Sequence, residues 1–174
     1  ECLIRFGHML PGGIIGNYVM WMTDANIARW DSTPGGKYSN EPQDLTFVYA
    51  PYRAIYAVGA RFRGLWRGYG SPVDSGAYAV ELSEERFQGQ YEFKIDQPGQ
   101  NGGDLTRLAE HFCFWIAETI DVPATRVEYA RVNVNGIDRG LHHDLLTPSR
   151  DFSKSWFNDS DPQVFKHVGW IGEP

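Results

Sequence analysis

The sequence predicts an α+β domain in which an antiparallel sheet carries one main packed helix. Several short segments have apolar residues at every second position, which is typical of strands buried on one face. An Asn-Gly pair at positions 135–136 separates two such segments and indicates a β-hairpin. Residues 104–120 instead place apolar side chains at helical spacing, which favours a helix packed on the sheet.

Length and charge are consistent with one globular domain. A chain of 174 residues can enclose a sizeable core. Its net charge of −6 disfavours unspecific binding to nucleic acids, and no apolar run is long enough to span a membrane. We expect residues 1–16 to end a preceding segment and residues 17–174 to form the domain. Because the chain stops at Pro174 without a closing element, we interpret it as a fragment truncated at its C-terminal end.

The first half of the chain is predicted to be mainly strands. These strands are expected at residues 18–22, 46–50, 54–63, 77–82 and 91–95. Thr23 or Asp24 can cap a helix that runs to about Asp31.

The main packed helix is predicted from Asp104 to about Ile120. Its expected buried face consists of Leu108, Phe112, Trp115 and Ile116. Cys113 lies in this helix and is expected to pack as a small hydrophobic residue, with a disulfide to Cys2 as the alternative.

The hairpin is predicted to span residues 128–145 around a two-residue type I′ turn. The expected pairs are Val134 with Ile137, Val132 with Arg139, and Ala130 with Leu141. This register buries His143 and leaves His142 more exposed, on a face shared with Tyr129 and Asp144. Ser149 can cap a short helix that carries Phe152, Trp156 and Phe157, and a last strand is expected at residues 164–168.

Two stretches resemble the family of CotH-like kinases, named after a spore coat protein. One is Val134-Asn135-Gly136 with Gly140-Leu141, followed by a strand and the aromatic short helix. The other is Val58-Gly59 with Arg61, Arg63 and Gly64, followed by Tyr78, Val80 and Leu82. The resemblance covers about the last two-thirds of the chain. It implies a protein-kinase-like small lobe with the start of its large lobe.

The resemblance also implies an activity and a location. The family transfers the ATP γ-phosphate to serine or threonine of coat or extracellular proteins, with Mg or Mn as the metal. The implied partner is therefore a protein substrate, and the implied location is extracellular or at the cell surface.

Six residues are candidates for nucleotide binding. Arg61 and Arg63 share one strand face beside a glycine-containing loop, so they either contact phosphate or form a solvated face. Glu110 lies where a kinase helix holds the nucleotide-binding lysine, or it is an exposed glutamate. The remaining candidates are Lys94, Asp144 and Lys166. Lys166 matches a family lysine or is a surface residue.

The chain departs from the family pattern at two positions. Gly76 stands where the family commonly has a lysine, and Lys94 is the candidate substitute. Leu146 stands where members often carry a glutamate. No metal-ligand spacing is present, and the catalytic residues are not identified in this chain.

A second hypothesis is a non-catalytic module of an extracellular or surface protein. Trp66, Tyr69 and Trp170 would then contact a partner or a glycan. The missing lysine favours this hypothesis, whereas the arginine pair, Glu110 and Lys166 favour the kinase.

Overall fold

Seven β-strands close into a barrel in the computed structural model, which describes residues 15–31, 40–49, 53–62, 77–83, 86–97, 106–147 and 150–157. The strands are β1 (Gly16–Trp21), β2 (Gln43–Tyr49), β3 (Arg53–Phe62), β4 (Tyr78–Leu82), β5 (Glu92–Asp96), β6 (Val127–Val134) and β7 (Ile137–Leu146). The described residues also form the helices α1 (Asp24–Asp31), α2 (Ala109–Thr119) and α3 (Arg150–Trp156).

One parallel strand pair closes the barrel. The strand order is β1-β2-β3-β4-β5-β7-β6, and neighbouring strands are antiparallel except β1 and β6. These two pair in parallel from Gly16 opposite Ala130 to Met20 opposite Val134. The predicted α+β sheet with one main packed helix is therefore wrong. A sheet that curves onto itself encloses its own core and does not need a helix to cover that face.

Aromatic side chains fill the barrel interior. Tyr18 lies 5.3 Å from Phe47 and 5.4 Å from Phe87, measured between ring centroids. Trp30 of α1 lies 4.6 Å from Phe62 and is almost fully buried. The interior is thus a packed hydrophobic core.

Helix α2 confirms the predicted helix but not its predicted burial. No residue of α2 is buried, and the predicted start at Asp104 lies outside the described residues. The four side chains expected in the core are exposed: Leu108, Phe112 and Trp115 by 55% each, and Ile116 by 39%. Cys113 is also exposed, so its predicted packing is wrong. The core that the prediction placed under this helix is formed instead by side chains inside the barrel.

The hairpin turn is confirmed at Asn135-Gly136. Both residues have positive φ, 49° and 86°, as a type I′ turn requires. The tip also joins β1, because the Asn135 side chain accepts a hydrogen bond from Met22 N and donates one to Met22 O, each 2.8 Å long. The turn therefore connects β6 and β7 to the end of β1.

A β-bulge at Arg139 changes the hairpin register. Val134 pairs with Ile137 as predicted, but Val132 pairs with Gly140 and Ala130 with His142. The predicted partners Arg139 and Leu141 are wrong, because the ladder skips Arg139. Gly140 takes a φ of 82°, a left-handed conformation that glycine adopts without strain.

The bulge exchanges the two faces of β7. His142 points into the barrel, 6.2 Å from the Tyr78 ring, while His143 points outward beside Tyr129. Both histidines are buried, with exposures of 0% and 1%. The predicted burial of His143 is confirmed, but the predicted exposure of His142 and its shared face with Tyr129 are wrong. A register shift of one residue moves every later side chain to the opposite face.

The other local predictions concern the two short helices and the C-terminal residues. Helix α1 is confirmed, and Asn26 N donates to Thr23 Oγ1 over 3.2 Å as expected for an N-cap. The short helix is confirmed as α3, whereas Ser149 and the strand predicted at 164–168 lie outside the described residues. None of the described helices is long and apolar enough to cross a membrane.

Candidate functional site

Two of the candidate cations lie in one row on the outside of the barrel. Arg61 of β3 is paired with Ala79 of β4, and Ala79 is in turn paired with Lys94 of β5. Their sequence neighbours Ala60, Phe62, Phe93 and Ile95 belong to the core, so Arg61 and Lys94 point outward. Neighbouring strands are about 4.8 Å apart, which separates the two backbones by roughly 10 Å. We call the outward side of β3, β4, β5, β7 and β6 the outer sheet face.

Acidic residues flank these cations on the outer sheet face. Arg61 Nε lies 3.4 Å from Glu81 Oε1, and both side chains are partly exposed. Lys94 is half-buried, and two residues further along β5, Asp96 is paired with His143 of β7. The face therefore carries both signs of charge, with Arg61 and Lys94 as its cations in the described part of β3 and β5.

Glu110 reaches the same face from helix α2. Its Oε2 accepts a hydrogen bond from Nδ1 of His143 over 3.2 Å. Beside it, Tyr129 OH donates to the carbonyl oxygen of Arg107 over 2.6 Å, and the His111 ring stacks on the Tyr129 ring at 5.4 Å. These contacts attach the start of α2 to β6 and β7.

Asp144 lies apart from the other candidates, inside the barrel. It is 1% exposed, and Tyr18 OH donates a 2.6 Å hydrogen bond to its Oδ2. Burial raises the pKa of Asp144 to about 6, although the hydrogen bond from Tyr18 opposes this shift. The same burial, together with the neighbouring carboxylate, raises the pKa of Tyr18. A side chain enclosed in this way cannot contact a ligand on the outer sheet face.

The structure thus unites three of the six candidates. Arg61 and Lys94 share a row, and Glu110 is attached to the same face through His143. Arg63 and Lys166 lie outside the described residues.

The contact between His143 and Glu110 was not predicted from the sequence. His143 was predicted only to be buried. Gly140 was a usable signal, because a glycine shortly after an Asn-Gly turn can mark a bulge that redirects the following side chains.

Two further features bear on possible ligands. The described residues contain no group of three or more His, Cys, Asp or Glu side chains arranged to hold a metal ion. A groove of about 610 Å³ lies beside α2, and its lining includes Phe114, Trp115, Trp156, His111, Gln88 and Arg126. None of the four candidates that the structure describes, Arg61, Lys94, Glu110 and Asp144, is among the described residues that line this groove.

Comparison with known proteins gives one family. A family model described as CotH kinase protein matches residues 61–169, which is more than half of the chain. The matched region contains Arg61, Lys94, Glu110 and His143. No curated protein matches the chain.

Proposed function

Since the chain belongs to the CotH kinase protein family, we propose that it is part of a protein kinase that uses ATP to phosphorylate serine or threonine. The hydroxyl oxygen of the acceptor bonds to the γ-phosphorus, the bond to the bridging oxygen breaks, ADP leaves, and the hydroxyl proton is released. The acceptors in this proposal are coat or extracellular proteins, which puts the protein outside the cell or at its surface.

The observation that carries the proposal is the shared row of Arg61 and Lys94. Phosphate groups are bound in proteins by cationic side chains that converge on one face. The strand register places these two cations in one row with the buried Ala79 between them. Glu110 sits on the helix beside this face, as a kinase glutamate does.

The charges on the outer sheet face fit the nucleotide better than they fit a dedicated metal site. Arg61 and Lys94 would hold the phosphates, while Glu81 and Asp96 would repel them and restrict them to the space between the cations. Mg or Mn bound together with the nucleotide would neutralise the charge of the phosphates. Arg63 and Lys166 remain proposed contributors, whereas we assign the enclosed Asp144 to the barrel core.

The test is calorimetric titration of the full-length protein with ATP in the presence of Mg or Mn. Lys94→Met should weaken ATP binding at least about tenfold, because it removes a charge-assisted hydrogen bond. Lys154→Met, at an exposed lysine of α3, is the matched control and should bind like the wild type. Arg63→Ala should also weaken binding about tenfold. Absence of ATP binding by the wild type would refute the proposal.

The non-catalytic module stays a second candidate, favoured by the exposed aromatic side of α2. Phe112 and Trp115 are each 55% exposed and stack on one another at 5.7 Å. Gly76, where the family commonly has a lysine, also favours it. A wild-type protein that is folded but does not bind ATP would support this candidate.

A further inference from the structure

Helix α2 is held on the barrel by very few described contacts. It buries no residue of its own. The described contacts at its start include the Glu110–His143 hydrogen bond, the Tyr129–Arg107 hydrogen bond and the ring stacking of His111 on Tyr129. A helix without buried side chains depends strongly on such attachments, so each of them controls where the helix sits.

Among the attachments described above, the His143 hydrogen bond reaches the Glu110 side chain itself. Its ring is 1% exposed, whereas the Glu110 side chain is 43% exposed. A carboxylate oxygen only accepts hydrogen bonds, so Nδ1 of His143 must carry the proton. The ring is enclosed by Tyr129 at 4.9 Å and by the β5 strand at Asp96, which fixes its orientation. An enclosed donor therefore meets a partly exposed acceptor.

The bulge at Arg139 is what turns His143 toward Glu110. Without it, the register would point His142 outward and His143 into the barrel. A hydrogen bond within the bulge stabilises it, because Gly140 N donates to Asp138 Oδ1 over 2.9 Å. Bulges commonly redirect a side chain next to a functional site.

We propose that His143 is a positioning residue of the nucleotide site, which holds Glu110 and thereby fixes α2 beside Lys94. This inference rests on the proposed function. In protein kinases a lysine of the sheet pairs with the helix glutamate. In this chain a histidine of β7 contacts the helix glutamate.

Two substitutions of His143 separate positioning from packing. The amide nitrogen of asparagine lies about where Nδ1 lies in histidine, whereas that of glutamine lies about where Nε2 lies. Glutamine is closer to histidine in size, so if His143 acts by packing, His143→Gln should preserve α2 protection and ATP affinity better than His143→Asn. If His143 acts through its Nδ1 hydrogen bond, His143→Asn should preserve them better. Hydrogen exchange of the α2 amides and ATP titration are measured for both variants.

The expected result is that His143→Asn stays within about threefold of the wild type in both measurements. His143→Gln should exchange its α2 amides at least about tenfold faster and bind ATP at least about tenfold more weakly. His142→Gln is the matched control: it changes the neighbouring buried histidine, which faces the barrel interior, and should not change α2 exchange selectively. Glu110→Ala probes the same hydrogen bond from its exposed side and should behave like His143→Gln.

The outcomes distinguish this inference from the proposed function. If glutamine preserves α2 protection and ATP affinity while asparagine does not, His143 acts by packing and the inference is overturned. If the wild type binds no ATP, the proposed function fails and the role toward nucleotide fails with it. The exchange data would in that case still decide whether His143 holds the helix.

Discussion

Asp144 makes a pH-dependent contribution to stability that runs opposite to that of most carboxylates. Its side chain is enclosed in the barrel, and only Oδ2 has a hydrogen-bond donor among the described residues, namely Tyr18 OH. Burial raises its pKa from 3.8 to about 6. The folded protein therefore favours the protonated, uncharged form. Its stability contribution is fully present below about pH 3.8 and is lost as the pH rises through about 6.

The size of this effect follows from the pKa difference. A shift of about 2 pKa units corresponds to about 3 kcal/mol at 1.36 kcal/mol per unit. Asp144→Asn removes the charge and keeps an oxygen that can accept from Tyr18. Part of this effect is already expressed at pH 4, so relative to the wild type the free energy of unfolding of the variant should rise by about 2.5 kcal/mol between pH 4 and pH 8. Any constant effect of the substitution cancels in this comparison.

Urea unfolding of both proteins at pH 4, 6 and 8 measures this change. Asp138→Asn serves as a control of opposite sign, because the hydrogen bond from Arg131 lowers the pKa of exposed Asp138. Ionised Asp138 therefore stabilises the fold above its ordinary pKa, and this contribution is lost as the pH falls. At pH 8, Asp138→Asn should lower the free energy of unfolding by up to about 1 kcal/mol. A difference between wild type and Asp144→Asn that stays constant from pH 4 to pH 8 would refute the reasoning.

Three substitutions test other parts of the fold by chemical denaturation. Phe112→Ala should cost less than about 1 kcal/mol, because Phe112 is 55% exposed; a loss of about 3–5 kcal/mol, typical of a core phenylalanine, would mean that the α2 face is buried after all. Gly140→Ala should cost about 1–3 kcal/mol, because alanine is strained at a φ of 82°, and Gly140→Asn should cost less. Asn135→Ala should cost about 1–3 kcal/mol through the two hydrogen bonds to Met22, and an unchanged stability would show that these bonds are not formed in solution.

Local signals in the sequence predicted local structure well. Asn135-Gly136 located the turn because few residue pairs tolerate positive φ at both positions. Thr23 and Asp24 were the two candidates for the start of α1, and Thr23 is the cap because its hydroxyl accepts from the backbone N–H of Asn26. In each of these cases the determinant lies within a few residues of the feature.

Features that depend on distant residues were not predictable in the same way. Alternation shows which residues share a face, but not that β1 pairs in parallel with β6. The apolar face of α2 has the spacing of a buried helix, yet its burial depends on what lies opposite. For the candidate site, one extra residue at Arg139 was enough to exchange the positions of His142 and His143.

Because β1 pairs with β6, the barrel can close only after most of the chain has been synthesised. Gly16 is synthesised more than 100 residues before its partner Ala130, so ring closure has to wait until the hairpin of β6 and β7 has left the ribosome. The family match begins at Arg61 and therefore omits β1, β2 and all but the last two residues of β3. A clone designed from that match alone would expose the edges of β4 and β6, and such edges invite pairing between chains. Expression boundaries for this domain should accordingly start ahead of Gly16.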